Sequence, residues 1–201
     1  MPKNDFYSLL GLFVDRHFFD AEVCEKIRKE MLLSDGVPGR FIKKGIIMMD
    51  ENVRKTKEKI VSEETRTFVR EGLLDIKSKI EDHFNLVLMG CQNPRFLFYK
   101  KGDFFNPHYD RGTRPDNPQD SLERKISVVI FLNSEREKPE NDSYVGGSLK
   151  FYGLVEDTRF KNQGFHLIAR LGSLVGFRSE ILHEVTTVQS GERYAIVSWF
   201  T

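Results

Sequence analysis

RFLFYKKGDFFNPHYD, residues 95 to 110, marks the point at which the chain changes texture. RFLFYK has the length and the aromatic content of a β-strand, KGD breaks it, and NPHYD reads as a strand giving way to a loop. Similar short apolar runs follow in ISVVIFLN (126–133), GGSLKFYG (146–153), GSLVGF (172–177) and RYAIVSWF (193–200), separated by clusters of Gly, Pro, Asn and Asp. So many short strands predict a two-sheet sandwich or jelly roll.

The sequence before Gly90 reads differently. DAEVCEKIRKEMLL (20–33) sets Val23, Ile27, Met31 and Cys24 on one helical stripe, with Asp20 as a candidate N-cap. Residues 62–84 predict a second helical stretch, and Phe68, Leu73, Ile76 and Ile80, with Ile60 just before it, approximate the 3.6-residue period. RFIKKGIIMMD (40–50) reads as extended, and the charged run RKTKEK from Arg54 reads as a solvated helix face. The expectation is one α+β domain over 1–201, with a mostly helical buttress in 1–90 packed on one sheet of a β core in 91–201.

Composition narrows the function classes. The 31 basic and 30 acidic side chains nearly cancel without forming long blocks, which argues against a nucleic-acid or membrane-surface protein. Two cysteines, Cys24 and Cys91, fit free thiols in a reducing compartment better than a disulfide scaffold. MPKNDFYSLL lacks the apolar centre of a signal peptide, and ISVVIFL is too short to span a bilayer. A cytoplasmic protein is the expectation. Two long polar connections, after Asp110 and after Leu132, read as lids or disordered segments.

Chemistry concentrates in a few positions. In a strand, residues two apart project to one side, so His108 and Asp110 would share a space as metal ligands or as a buried ion pair. His183, in FRSEILHEVTTV, is a third candidate ligand if the strand ends converge in a barrel mouth. Two imidazoles and a carboxylate leave half an octahedron open, as in non-haem Fe(II) oxygenases. A zinc hydrolase could use the same donors, but no HExxH-type general base accompanies them. His17, His83 and His166 each have a structural or solvated explanation. Alternation in RYAIVSWF puts Arg193, Ala195, Val197 and Trp199 on one face, where a buried arginine meets either a protein carboxylate or a ligand carboxylate.

These pieces together resemble the prolyl 4-hydroxylase branch of the Fe(II) and 2-oxoglutarate-dependent dioxygenases. FYKKGDFFNPHYD, ISVVIFLN, GGSLKFYG, GSLVGFRSEILHEV and GERYAIVSWF occur in the order of that family and cover roughly residues 94 to 201. The resemblance implies a double-stranded β-helix (jelly roll), iron held by His108, Asp110 and His183, and the distal carboxylate of 2-oxoglutarate held by Arg193. It also places the Tyr99 hydroxyl beside the co-substrate, although a half-buried strand tyrosine explains that residue equally. Trp199 would stand at the substrate pocket, although core packing is the default for a lone Trp in a terminal strand. Phe131 and Val197 depart from relatives that carry hydroxyl groups there, so part of the co-substrate contact must differ.

The implied reaction consumes O2 and 2-oxoglutarate, releases succinate and CO2, and hydroxylates a C–H bond, with L-ascorbate as a common auxiliary. Proline C4 in a peptide or protein is the implied target. A free amino acid or small metabolite is the alternative, and a non-catalytic jelly roll that binds a partner is a second one.

Overall fold

The computed structural model describes residues 6–43, 46–113, 115, 117–155 and 163–201. A one-turn helix α1 (Phe6–Leu9) and strand β1 (Phe13–Asp15) lead into α2 (Ala21–Leu32). Asp20 caps α2, its Oδ1 accepting the Val23 N–H at 2.8 Å, and Cys24, Ile27 and Met31 face the core. Five short strands follow: β2 (Val37–Pro38), β3 (Phe41–Lys43), β4 (Ile46–Met48), β5 (Arg54–Lys55) and β6 (Lys57–Lys59). Then come α3 (Glu63–Asp75) and α4 (Lys77–Phe84). The remainder is strand apart from α5 (Gln119–Leu122): β7 (Arg95–Tyr99), β8 (Phe104–His108), β9 (Ile126–Phe131), β10 (Ser134–Glu135), β11 (Ser143–Gly146) and β12 (Leu149–Phe151). The last are β13 (Phe165–Leu167), β14 (Leu174–Arg178), β15 (His183–Val185), β16 (Val188–Gly191) and β17 (Arg193–Phe200).

These strands form a jelly roll. One sheet has the order β1-β14-β9-β17-β7-β6-β2, and the facing one the order β13-β12-β15-β8-β5. A three-stranded sheet, β10-β11-β16, and the β3–β4 hairpin complete it. β17 divides the core by alternation. Tyr194, Ile196 and Phe200 meet Ile27, Met31, Val69, Leu73 and Ile80 of the helices. Ala195 joins Val129, Phe131 and Phe177 against Leu149, Phe151 and Leu167 of the other sheet. The helices therefore buttress the larger sheet, and its inner face is left to the site.

Two local expectations are corrected. RKTKEK is sheet: β5 pairs with β8, and β6 with β7, where Lys57, Glu58 and Lys59 stand opposite Phe98, Leu97 and Phe96. Arg54, Thr56 and Lys59 are buried, and the Lys59 Nζ lies 4.9 Å from the Phe98 ring centroid. Long charged side chains can lay their stems on an apolar neighbour strand, so charge content hides a pairing that only tertiary contact reveals. The helical stretch is also broken, at Ile76, and its buried stripe is Thr65, Val69, Leu73, Ile76, Ile80 and Phe84. Ile60 and Phe68 lie off that stripe, 63% and 47% exposed. Of the two polar connections, the first holds α5, and the second holds β10, paired parallel with β11.

Gly172 makes a close approach that no other residue permits. Its φ is +75°, and an added Cβ would stand 2.0 Å from the Phe19 carbonyl oxygen. That carbonyl packs where the chain before α2 crosses the β14 end of the large sheet, and the Phe19 N–H in turn donates to the Gly172 oxygen at 3.0 Å.

Candidate active site

β8 and β15 are antiparallel neighbours in the smaller sheet, and His108 and His183 are register partners across them. Their ring centroids lie 4.2 Å apart although the residues are far apart in sequence. Asp110 reaches them by a different route from strand alternation. β8 ends at His108, and Asp110 sits in the next bend, where its N–H donates to the Ser179 carbonyl at 3.1 Å and the Arg111 N–H to the same oxygen at 3.0 Å. The loop before β15 thus fixes the bend, and Tyr109 between the two ligating candidates is exposed.

The ring nitrogens have defined roles. His108 Nδ1 is 2.8 Å from the Asn106 carbonyl and His183 Nδ1 is 2.9 Å from the Ile181 carbonyl. A carbonyl only accepts, so each Nδ1 carries a proton and each Nε2 is the nitrogen turned to the site. Asp110 Oδ1 lies 3.7 Å from His108 Nε2, and Oδ2 lies 3.5 Å from His183 Nε2. Those separations exceed hydrogen-bonding distance, which disfavours a hydrogen-bonded ion pair and leaves a gap between the donors. One donor atom from each of the three residues lies within 4.8 Å of the others. Burial, reinforced by the neighbouring His183, pushes the His108 imidazole down to about 3. Burial opposes ionisation of Asp110, but the adjoining His183 and His108, with Arg124, outweigh it and hold the carboxyl well below the usual range. Two imidazoles whose Nδ1 atoms are held by backbone carbonyls, together with a carboxylate, are the donor set a hexacoordinate divalent iron takes up.

The same cavity contains Arg54, Tyr99, Arg193 and Trp199. Arg193 begins β17 opposite Tyr99 on β7, and its Cζ is 5.0 Å from the Tyr99 ring centroid and 5.6 Å from that of Phe131. It is 1% exposed, its Nε has no acceptor, and among the described residues no carboxylate approaches within ion-pair distance. The carboxylate in its field is Glu135, which burial pushes up and whose Oε1 accepts the Ser148 hydroxyl. A buried cation left without an anion suits a ligand carboxylate.

Sequence reasoning overlooked three nearby groups. Tyr144 is fully buried with its hydroxyl beside the Arg193 guanidinium and no acceptor for its proton, and burial pushes it up to about 12, so it remains a hydrogen-bond donor. It flanks Arg193: a Cβ on Gly147 would stand 3.2 Å from Arg193 Cδ and 3.4 Å from Tyr144 Cε2. Arg54 is buried over the Phe105 ring, 4.4 Å from its centroid, and donates to the Arg40 carbonyl at 2.6 Å. Arg124 stacks 3.7 Å from the centroid of Trp199 and donates to the Asp110 carbonyl at 3.2 Å. Period-two reading of RKTKEK would have flagged Arg54; nothing local distinguishes Tyr144 or Arg124. His17, His83 and His166 lie elsewhere: His83 packs against Phe13 and Phe84, and His17 and His166 are exposed.

Comparison with known proteins agrees with this geometry. Residues 94–201 match the 2OG-Fe(II) oxygenase superfamily. A PKHD-type hydroxylase from Shewanella baltica is 37% identical over 106 residues, 53% of this chain and 41% of the relative. One from Teredinibacter turnerae is 34% identical over the same shares. The chain thus spans about two-fifths of the length of these curated relatives. Among solved structures, a Pseudomonas putida prolyl-4-hydroxylase superposes with a TM-score of 0.69 at 23% identity, covering 94% of this chain and 91% of that one. A Trichoplax adhaerens prolyl hydroxylase, in complex with a hypoxia inducible factor oxygen degradation domain peptide fragment, gives 0.72 at 18% identity, over 94% and 83%. By its matched half and by the fold around it, the chain belongs to the 2OG-Fe(II) oxygenase superfamily.

Proposed function

We propose that this protein hydroxylates a peptidyl proline at C4, with iron(II) held by His108, Asp110 and His183. The supporting observation is the meeting, in one cavity, of three convergent donors and a buried cation that lacks an anion. Iron(II), when bound, supplies the coupling of O2 reduction and 2-oxoglutarate decarboxylation to C–H hydroxylation, with succinate and CO2 as by-products. Arg193 holds the distal carboxylate of the co-substrate, and Tyr144 donates a second hydrogen bond to it in place of the hydroxyls absent at Phe131 and Val197. Tyr99 packs beside it from β7. The Asn106 and Ile181 carbonyls keep the two imidazoles in the tautomer that binds metal. Trp199 and Leu97 wall the cavity and keep water from the target carbon.

The two cysteines are free thiols, which supports work in the reducing cytoplasm. Among the described residues no helix is long and apolar enough to cross a membrane. L-Ascorbate enters this reading as an auxiliary reductant. A free amino acid is the second substrate reading; the small enclosed cavity suits one, but the groove that adjoins it suits a chain.

The test is turnover of 2-oxoglutarate to succinate with added Fe(II), and mass spectrometry of proline-containing peptides for one added oxygen. Turnover should vanish with chelation and in His108→Ala and Asp110→Ala. Wild-type protein that neither binds Fe(II) nor decarboxylates 2-oxoglutarate overturns the reading. Oxygen added to free proline alone favours the small-molecule one.

A further inference from the structure

Beside the cavity runs a groove of about 600 Å³ that shares Trp199 with it. Five arginines line the groove, Arg40, Arg66, Arg70, Arg95 and Arg124, against two carboxylates, Glu58 and Asp120. The whole chain carries a formal charge of only +1, so this is a local concentration rather than a basic protein. Two of the five are satisfied: Arg95 is paired with Glu58 at 2.5 Å, and Arg124 is held by Gln92, the Asp110 carbonyl and Trp199. The other three are less engaged. Arg66 donates to the Pro94 carbonyl at 3.1 Å and has a 3.4 Å contact with the exposed Glu63, while Arg40 and Arg70 make no ion pair among the described residues. Arg66 and Arg70 also stand four apart on α3, where like charges repel across one turn and weaken the helix.

On the peptide-hydroxylase reading above, we infer that the substrate is an acidic peptide, with Asp or Glu within a few residues of the hydroxylated position, whose carboxylates bind Arg40, Arg66 and Arg70. Planar guanidinium forks match carboxylates bidentately, and arginine clusters are the usual readers of acidic motifs. Continuity through Trp199 and Arg124 carries the peptide from these cations to Asp110. A nucleic acid fits less well, because its regularly charged backbone needs a longer basic track. Here the charge stops at Glu63, Glu64 and Glu71 on α3 itself.

The experiment uses the full chain with Mn(II) and 2-oxoglutarate, and three fluorescein-labelled ten-residue peptides with one central proline flanked by Asp, by Asn or by Lys. By anisotropy, the Asp peptide should bind about tenfold more tightly than its Asn isostere, and the Lys peptide more weakly than either. High salt should compress the difference. Arg66→Glu/Arg70→Glu should abolish the preference, whereas Arg66→Lys/Arg70→Lys, folded by the same circular dichroism, should retain most of it. Equal affinities for the Asp and Asn peptides, no binding of either, or an unchanged preference in the Glu variant overturns the inference. Tighter binding of a labelled ten-nucleotide single strand overturns it in favour of nucleic acid. The two proposals fail separately: selective binding without an added oxygen keeps this one alone, and equal hydroxylation of the Asp and Asn peptides keeps only the other.

Discussion

Arg193 on β17 and Tyr99 on β7 are cross-strand partners, both 1% exposed, with the guanidinium carbon 5.0 Å from the phenol ring centroid. The tyrosine ring gives the cation a partial partner through its π face, but the Nε proton stays unpaired. A charge kept in that condition costs stability in the free protein and gains an anion only on binding. Replacing Arg193 with Met should therefore separate the two effects. Co-substrate binding should weaken by about 2–5 kcal/mol, read as a rise in KM for 2-oxoglutarate of roughly thirtyfold or more. The melting temperature of the protein without co-substrate should hold or rise. A variant that melts lower and keeps its KM would show that the arginine serves the fold.

Tyr144 offers a finer reading of the same carboxylate site. Its hydroxyl is buried and protonated beside the Arg193 guanidinium, with no acceptor for its proton. Tyr144→Phe removes one neutral hydrogen bond to a charged group, worth about 1.5–3 kcal/mol. KM for 2-oxoglutarate should rise by roughly one to two orders of magnitude with little change in kcat, and the apo protein should lose no stability. An unchanged KM removes Tyr144 from the site.

The helical buttress makes a stability prediction. Leu73 is fully buried between α3 and the large sheet, whereas Phe68 is 47% exposed and stacks at 5.6 Å on Phe19. Leu73→Ala should cost about 2–5 kcal/mol by chemical denaturation. Phe68→Ala should cost no more than about 1.5 kcal/mol, the worth of its ring pair. Similar losses at both positions would contradict the assigned helix face.

The Glu58–Arg95 pair predicts a pH dependence. Burial opposes ionisation of Glu58, but its hydrogen bond to Arg95 and the charges of Arg95 and Arg54 outweigh it and lower the carboxyl below its ordinary value. Because the folded value is the lower one, the stabilisation is present above the unfolded pKa of about 4.3 and is lost as pH falls through the folded value. Wild type should exceed Glu58→Gln in melting temperature at neutral pH, and the two curves should converge in acid. A gap of constant size from pH 7 to pH 3 would rule out the linkage.

The sequence by itself determined the elements with strong local signals: the Asp20 cap, the β runs after Gly90, and the residue types of the site. That His108, Asp110, His183 and Arg193 would come together was legible from residue type and spacing, and they line one cavity. Where charge or composition stood in for contact, the reading failed, as in RKTKEK, whose partner strand β7 lies some forty positions away. Only the tertiary structure decided that His108 and His183 face each other, that Ser179 draws the Asp110 bend to them, and that Tyr144 lies beside Arg193. The physical reason is that strand pairing and burial are long-range: a residue's neighbours across a sheet are set by register and packing, neither of which its own sequence window contains.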